Sequence, residues 1–374
     1  MKKLIHMILI SFFLFSCSEN ITEVQNKLSE LNKKPVNPDP EPELVFPDLD
    51  VNQKYVAGVV DGTIYLWETQ TFTIIWSYKS AALLPKVGLS DINNDGFKEL
   101  ILVERLKGGR GKDKYEEYNF SIFQKGDSEP ARTPIGYFNT YYDAIWDMKI
   151  GNMDNNPDDD EIVLVRRDKI EVYELEDLST PSAILKFTHN IESVFPWEGE
   201  IYNNNANGII VAFTDGTCKK FSYDENIITM EEEFLTLEGD GLNIAKVLDL
   251  DNDGQSEIIA GGQNEKIHIW DGSSYESFTL EGSQYTWALD VDVNNNIFIG
   301  TSNDGVHLLN YNGVNLNYTG KVIDIENVQL NGLNVLNSSI LLATDTGLKV
   351  YDASYNSIAV ENQTIGFLEE LICQ

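Results

Sequence analysis

Val247-Leu-Asp249-Leu-Asp251-Asn-Asp253-Gly254-Gln255-Ser-Glu257-Ile-Ile-Ala-Gly-Gly-Gln-Asn-Glu-Lys-Ile267-His-Ile269-Trp270 is the stretch that most of the chain restates with variations. It reads as one strand, an acidic loop, a second strand from Ile258, a tight turn, and a third strand in which Ile267 and Ile269 lead to Trp270. Apolar residues at every second position mark a strand with one face toward a core. Gly254 lets the backbone bend sharply inside the loop.

Seven hairpins share this layout: Val56–Trp67, Leu100–Phe123, Ile162–Tyr173, Ile209–Phe221, Ile258–Trp270, Ile297–Asn310 and Leu341–Tyr351. They start roughly every 40–60 residues, a spacing that signals a repeat architecture. Each is followed by a short strand, such as Thr73–Tyr78, Ala183–Phe187 or Tyr275–Leu280, and preceded by one ending in an acidic or Asn-rich loop. That makes four strands per unit. A lone four-stranded sheet cannot bury both faces, whereas units arranged radially cover one another and leave only short edges. The expected fold is all-β: a β-propeller of seven four-stranded blades over residues 44–374. Six or eight blades stay open, because Val45–Asn52 and Thr364–Leu371 each offer an innermost strand for the first blade.

Two loops share the pattern D-x-[DN]-x-D-G-x-x-E. One is Asp91, Asn93, Asp95, Phe97 and Glu99; the other is Asp249, Asp251, Asp253, Gln255 and Glu257. Oxygen-bearing side chains at positions 1, 3, 5 and 9, with a backbone carbonyl at 7, can converge on one hard cation. In the second loop four carboxylates fall within nine residues and repel one another unless a cation sits among them. An EF-hand would need Glu at position 12, where Leu102 and Ala260 stand, and would need helices on either side. The plain alternative is polar turns, since Asp, Asn and Gly are common turn residues. A third loop, Asn152, Asp154, Asn156 and Asp158 running on to Glu161, has Pro157 in place of the Gly and one extra residue. Asp290, Asp292 and Asn294 form a fourth version that lacks both the Gly and the closing acid.

These loops resemble those of FG-GAP or VCBS repeats in integrin-like propellers. That resemblance implies a structural Ca²⁺ between the first two strands of a blade, held by the residues of the first two loops and, less regularly, of the third. Leu66-Trp67-Glu68 through Trp76-Ser-Tyr78 resembles one repeat of the PQQ-type propellers, which include both quinoprotein dehydrogenases and non-enzymatic lipoproteins. No quinoprotein active-site motif accompanies it, so no quinone is expected.

Lys2 and Lys3 precede an apolar run from Leu4 to Phe15 that is too short for a lasting membrane span. Leu14-Phe-Ser-Cys17 resembles the lipobox of bacterial lipoproteins, which implies a signal peptide over residues 1–16 and an acylated Cys17. Residues 17–43 then read as a short amphipathic helix followed by a stiff tether with Pro at 35, 38, 40 and 42. Ser18 rather than Asp after the Cys leans toward an outer-membrane location. Only Cys218 and Cys373 remain, too few for a disulfide framework. The formal net charge of −33 argues against nucleic acid as a partner and favours cations.

No catalytic motif stands out: there is no G-x-S-x-G elbow and no H-E-x-x-H. His268 and His307 hold equivalent third-strand positions and read as half-exposed strand residues. Trp146, Trp197 and Trp287 lie at or just ahead of three innermost strands, where indole faces can meet a sugar ring or an apolar partner, or pack between blades. Arg105–Lys114 is a basic, Gly-rich hairpin tip on an otherwise acidic protein. The expectation is a monomeric, lipid-anchored envelope protein that binds a protein or glycan and is not an enzyme. The alternative is a polysaccharide lyase or hydrolase working in the channel, which a cluster of Lys, Arg, Tyr or His on one channel wall would favour.

Overall fold

The computed structural model describes residues 45–373 apart from 81, 83–84, 109–114, 139–144, 154–159, 177, 179–180, 192–194, 205, 225–226, 237–239, 273, 283–284, 303, 326–327, 337 and 359–367. The expected signal peptide, Cys17, and the stretch expected to form a short helix and a Pro-rich tether lie outside the described residues.

Seven antiparallel sheets of four strands each form the body. Their first strands are Lys86–Ser90, Ile145–Gly151, Pro196–Asn204, Leu242–Leu248, Thr286–Val291 and Leu330–Leu336 in blades 2 to 7. Blade 1 takes its first strand from the other end of the chain, Leu368–Cys373, which pairs antiparallel with Tyr55–Val60. Each first strand packs on those of the neighbouring blades, and the contacts run all the way round. The chain is a closed seven-bladed β-propeller with the first strands innermost.

The second strands explain why the hairpins were readable. Tyr55–Val60, Glu161–Arg166 and Glu257–Gly262 are buried at every position. Alternate residues face opposite seams: Val56 joins the cluster shared with blade 7, and Ala57 the one shared with blade 2. Seven apolar clusters result, one per seam. Burying a Val, Leu, Ile or Phe side chain is worth about 1.5–3 kcal/mol, so each seam is a small core and none stands alone. Trp67 and Trp270 at the ends of third strands are core residues, as their positions suggested.

Of the two candidate closing segments, the C-terminal one supplies the strand. Val45–Asn52 instead lies along blade 2. Phe46 and Leu49 are buried three residues apart, a spacing that does not fit one face of a strand. Phe46 wedges into the seam between blades 1 and 2, edge-on to Trp76 at 5.1 Å and stacked on Phe123 at 5.9 Å. Its N–H donates to Asp127 C=O at 2.7 Å, and its carbonyl accepts from Gly126 at 2.9 Å.

His268 and His307 do occupy equivalent third-strand positions, but they are buried rather than half-exposed. The Nδ1 of each meets a tyrosine hydroxyl on the outermost strand, Tyr275 at 2.8 Å and Tyr318 at 3.0 Å. The hydroxyl gives the ring a polar partner, which is what lets a histidine stay inside a blade. Cys218 is free and buried between blades 4 and 5. Arg105 opens the extended part of the blade 2 hairpin, which stays paired out to Gly108 and Tyr115; the tip beyond lies outside the described residues.

Candidate functional site

Both regular acidic loops join an innermost strand to a second strand, in blades 2 and 5. Their backbones match. Asn94 and Asn252 have φ of 54° and 63°, and Gly96 and Gly254 have 89° and 91°. A left-handed residue followed by a second positive φ is what an Asn-x-Gly stretch tolerates. Asp91 Oδ1 and Oδ2 accept from Asp95 N–H and Gly96 N–H at 3.0 Å each. Asp249 does the same for Asp253 at 3.1 Å and Gly254 at 3.0 Å. Asn93 and Asp251 each accept from the N–H two residues on, at 2.9 and 3.0 Å. Asp95 and Asp253 accept from Phe97 N–H at 2.9 Å and Gln255 N–H at 2.7 Å. Position 1 thus holds the turn, and positions 3 and 5 each cap the N–H two residues ahead, with Asp95 and Asp253 exposed.

The closing acids are buried. Glu99 Oε2 accepts from Ile92 N–H at 3.1 Å and Glu257 Oε2 from Leu250 N–H at 2.6 Å. Burial, reinforced by the neighbouring aspartates, pushes Glu99 up to about 8 and Glu257 up to about 7. One oxygen of each carboxylate of Asp249, Asp251 and Glu257 lies within 4.8 Å of the others. Glu257 Oε1 is fully buried and has no hydrogen-bond partner. A buried carboxylate oxygen aimed at two more carboxylates is a donor set short of a cation, so these residues fit a hard divalent ion.

The third loop repeats the closing contact with a residue that spacing alone did not single out. Glu161 is buried and its Oε2 accepts from Met153 N–H at 2.6 Å. The signal was its place as the first residue of the second strand, shared with Glu99 and Glu257; the extra loop residue hid it. Asn152 starts this loop, and Asp154, Asn156 and Asp158 lie outside the described residues. The fourth loop is a self-closed turn: Asp292 accepts from Asn294 N–H at 2.8 Å, Asn296 N–H at 2.9 Å and Asn296 Nδ2 at 2.7 Å. Asp290 belongs to the channel.

At the other end of the innermost strands the three tryptophans converge. Trp146 stacks on Trp197 with ring centres 5.5 Å apart, and Trp197 meets Trp287 at 5.8 Å. The last two belong to blades 4 and 6, so their contact spans the channel mouth in front of blade 5. All three are half-buried. Tyr285, 41% exposed, sits 6.1 Å from Trp287 and extends the aromatic surface. The register slips between Ile145 and Asp147, Pro196 and Gly199, and Thr286 and Ala288. Each indole thus stands in a β-bulge, a device that re-aims a side chain at the end of a strand. Asn243 occupies the corresponding slip in blade 5; it is buried and donates to Thr286 C=O at 3.0 Å.

Below the indoles runs a chain of charges. Lys149 lies 3.4 Å from Asp147, 3.3 Å from Glu198 and 3.7 Å from Glu200. Lys246 lies 3.0 Å from Glu200 and 3.2 Å from Asp290, whose other oxygen accepts from Val335 N–H at 2.6 Å. Five consecutive blades are stitched together this way. Burial pushes Glu198 up to about 7 against the pull of Lys149. Burial would depress Lys246, but Asp290 and Glu200 more than reverse that and hold it above the ordinary lysine range.

No protein-family model matches the chain, and no curated protein matches it. Solved structures do. A functionally unknown protein from Desulfotomaculum acetoxidans aligns with a TM-score of 0.58 at 14% identity, over 84% of this chain and 98% of that one. Sqt1 from Saccharomyces cerevisiae aligns at 0.57 and 11% identity over 84% of each chain. Chaetomium thermophilum Sqt1, bound to the N-terminus of ribosomal protein L10, aligns at 0.51 and 12% identity over 71% of this chain and 73% of that one. Likeness at this level is a likeness of fold.

Proposed function

We propose that this propeller is a non-enzymatic binding scaffold of the bacterial envelope, anchored by an acylated Cys17, that holds a protein or glycan at its aromatic channel mouth. The observation that carries this reading is the convergence of Trp146, Trp197 and Trp287 across the mouth. Stacked, half-buried indoles offer an apolar face to a sugar ring or an inserted side chain. Propellers of similar fold include one bound to the N-terminus of a ribosomal protein, which is in keeping with a protein partner. The channel lysines support binding over lyase chemistry: both are ion-paired to carboxylates, so neither is a ready base.

In the same reading the acidic loops hold Ca²⁺, as the likeness to FG-GAP or VCBS repeats implies, and the ion stiffens blades 2 and 5. Asp249, Asp251 and Glu257 would be the principal ligands in blade 5. Two measurements test the proposal. Wild type and Trp197→Ala, immobilised, are probed with envelope glycans and envelope protein extract; binding is expected to wild type and to be lost at least tenfold in the variant. Equal binding by both would remove the mouth as the site. Thermal unfolding in EDTA and in about 1 mM Ca²⁺, a concentration suited to extracellular modules, tests the metal. A midpoint that Ca²⁺ does not move would reduce the loops to plain turns.

A further inference from the structure

The end of the ring opposite the indoles carries apolar tips that the fold does not explain. Val293 is 88% exposed and Val314 72% exposed. Each sits in a turn that is otherwise polar, Asp292-Val-Asn-Asn295 and Asn312-Gly-Val-Asn315. Turn chemistry asks for Gly, Asn, Asp or Ser at such places, and a β-branched apolar residue gains nothing from water. Both tips are fixed beside the blade 5 loop. Asn295 Nδ2 donates to the carbonyls of Asp249 and Leu250 at 2.9 Å each. Gly313, at φ 80°, lies so close to Asp251 that an added Cβ would sit 2.5 Å from its Oδ2.

The blade 2 loop has the same neighbours in kind. Val51 N–H donates to Gly96 C=O at 3.2 Å, and Val45 begins the same segment; they are 42% and 54% exposed. All loops from innermost to second strands lie on one face of a propeller, and blades 2 and 5 of seven stand nearly opposite each other on it. One face therefore carries two acidic loops, with Val293 and Val314 beside one and Val51 and Val45 on the segment that braces the other.

We propose that this face rests on a phospholipid surface, with a divalent ion held jointly by the blade 5 loop and lipid phosphates and the valines entering the head-group layer. The proposal rests on the metal reading above. A hard cation takes about six to eight oxygens, and a loop of this pattern presents five positions, so phosphate oxygens can complete the shell. The cation is required because a chain of net charge −33 is otherwise repelled by an anionic surface. Protruding tips on opposite sides of a ring suit a flat, deformable surface better than the pocket of a folded partner. Four exposed valines reaching only the head-group layer make a small contact, so it is weak by itself and gains from any anchor on the preceding chain.

The test uses the mature chain with Cys17→Ser, which cannot be acylated, and vesicles of phosphatidylglycerol and phosphatidylethanolamine. Co-sedimentation is expected in about 1 mM Ca²⁺ and not in EDTA. Val293→Ser with Val314→Ser, which removes the exposed apolar groups without adding charge beside the loop, should weaken it at least tenfold while the Ca²⁺-induced rise in unfolding midpoint persists. If Ca²⁺ raises the midpoint but no vesicle binding appears, the docking proposal is wrong and the metal reading stands. If neither occurs, both fail. Vesicle binding indifferent to Ca²⁺ or to the valine substitutions, or Ca²⁺-dependent capture by envelope protein alone, also overturns it.

Discussion

The loops at 91–99 and 249–257 have nearly the same backbone and different surroundings. In blade 2 the third position is Asn93, whose Nδ2 donates to Asp95 and to Glu99 at 3.3 Å each and so satisfies the buried acid from within. In blade 5 that position is Asp251, and Glu257 Oε1 is left without a partner. The braces differ too. The blade 2 loop leans on the N-terminal segment, with Lys98 N–H donating to Leu49 C=O at 2.7 Å. The blade 5 loop leans on blade 6 through Asn295 and Gly313. A shared motif fixes the turn; one amide and a neighbouring element decide whether the buried acid is satisfied from within the loop.

Phe46→Ala is the sharpest way to break the comparison. It removes a fully buried ring at the base of the N-terminal brace, so a loss of about 3–5 kcal/mol is expected in denaturant unfolding. Calcium titration should then show weakened binding at the blade 2 loop and unchanged binding at the blade 5 loop. Glu257→Gln comes next. In EDTA it should be neutral or slightly stabilising, because a buried oxygen without a partner loses its charge, while most of the Ca²⁺-induced midpoint rise disappears. The matched Glu99→Gln should cost less of that rise. Asn93→Asp gives the blade 2 loop the acid set of blade 5 and should tighten its Ca²⁺ affinity by roughly tenfold in calorimetry, with lower stability in EDTA. Equal affinities before and after would mean that position 3 does not distinguish the loops.

The smallest effect tests the channel as a region apart from both loops. The folded value of Glu198 is raised to about 7 from an ordinary 4.5, so its contribution to stability is full below about pH 4.5 and is lost as pH rises through 7. Glu198→Gln should therefore gain on wild type between those limits, by on the order of 1 kcal/mol after allowing for water access to the side chain. Calcium should leave that difference untouched.

What the sequence made legible is what is local. Ile258 to Ala260 and Ile267 to Ile269 declare a hairpin because both strands are shaped by their own seams, and Asp-x-Asp-x-Asp-Gly declares a loop because each carboxylate caps an N–H a few residues ahead. The tryptophans were legible as positions but not as a cluster, since Trp197 and Trp287 meet only once the ring closes. The ion pairs of Lys149 and Lys246 join residues about fifty apart, so no pattern within one blade reveals them. Closure itself was undecided between two segments. Val45–Asn52 looked strand-like because it is apolar at intervals, yet its apolar residues serve a wedge, and only tertiary packing separates the two roles.

That wedge has a mechanical consequence. Tyr55–Val60 is hydrogen-bonded to the last described strand, Leu368–Cys373, and this non-covalent pairing shuts blade 1. A pull applied at Val45 meets Phe46 first, where the load passes into blade 2 through Gly126, Asp127, Gly96 and Lys98. Phe46 and Leu49 must be drawn out of the seam before any tension arrives at Tyr55. Under force applied at Val45 the body is expected to yield in two steps, a small release of the leading segment and then the opening of the ring, so the clasp at Tyr55 is shielded by the wedge.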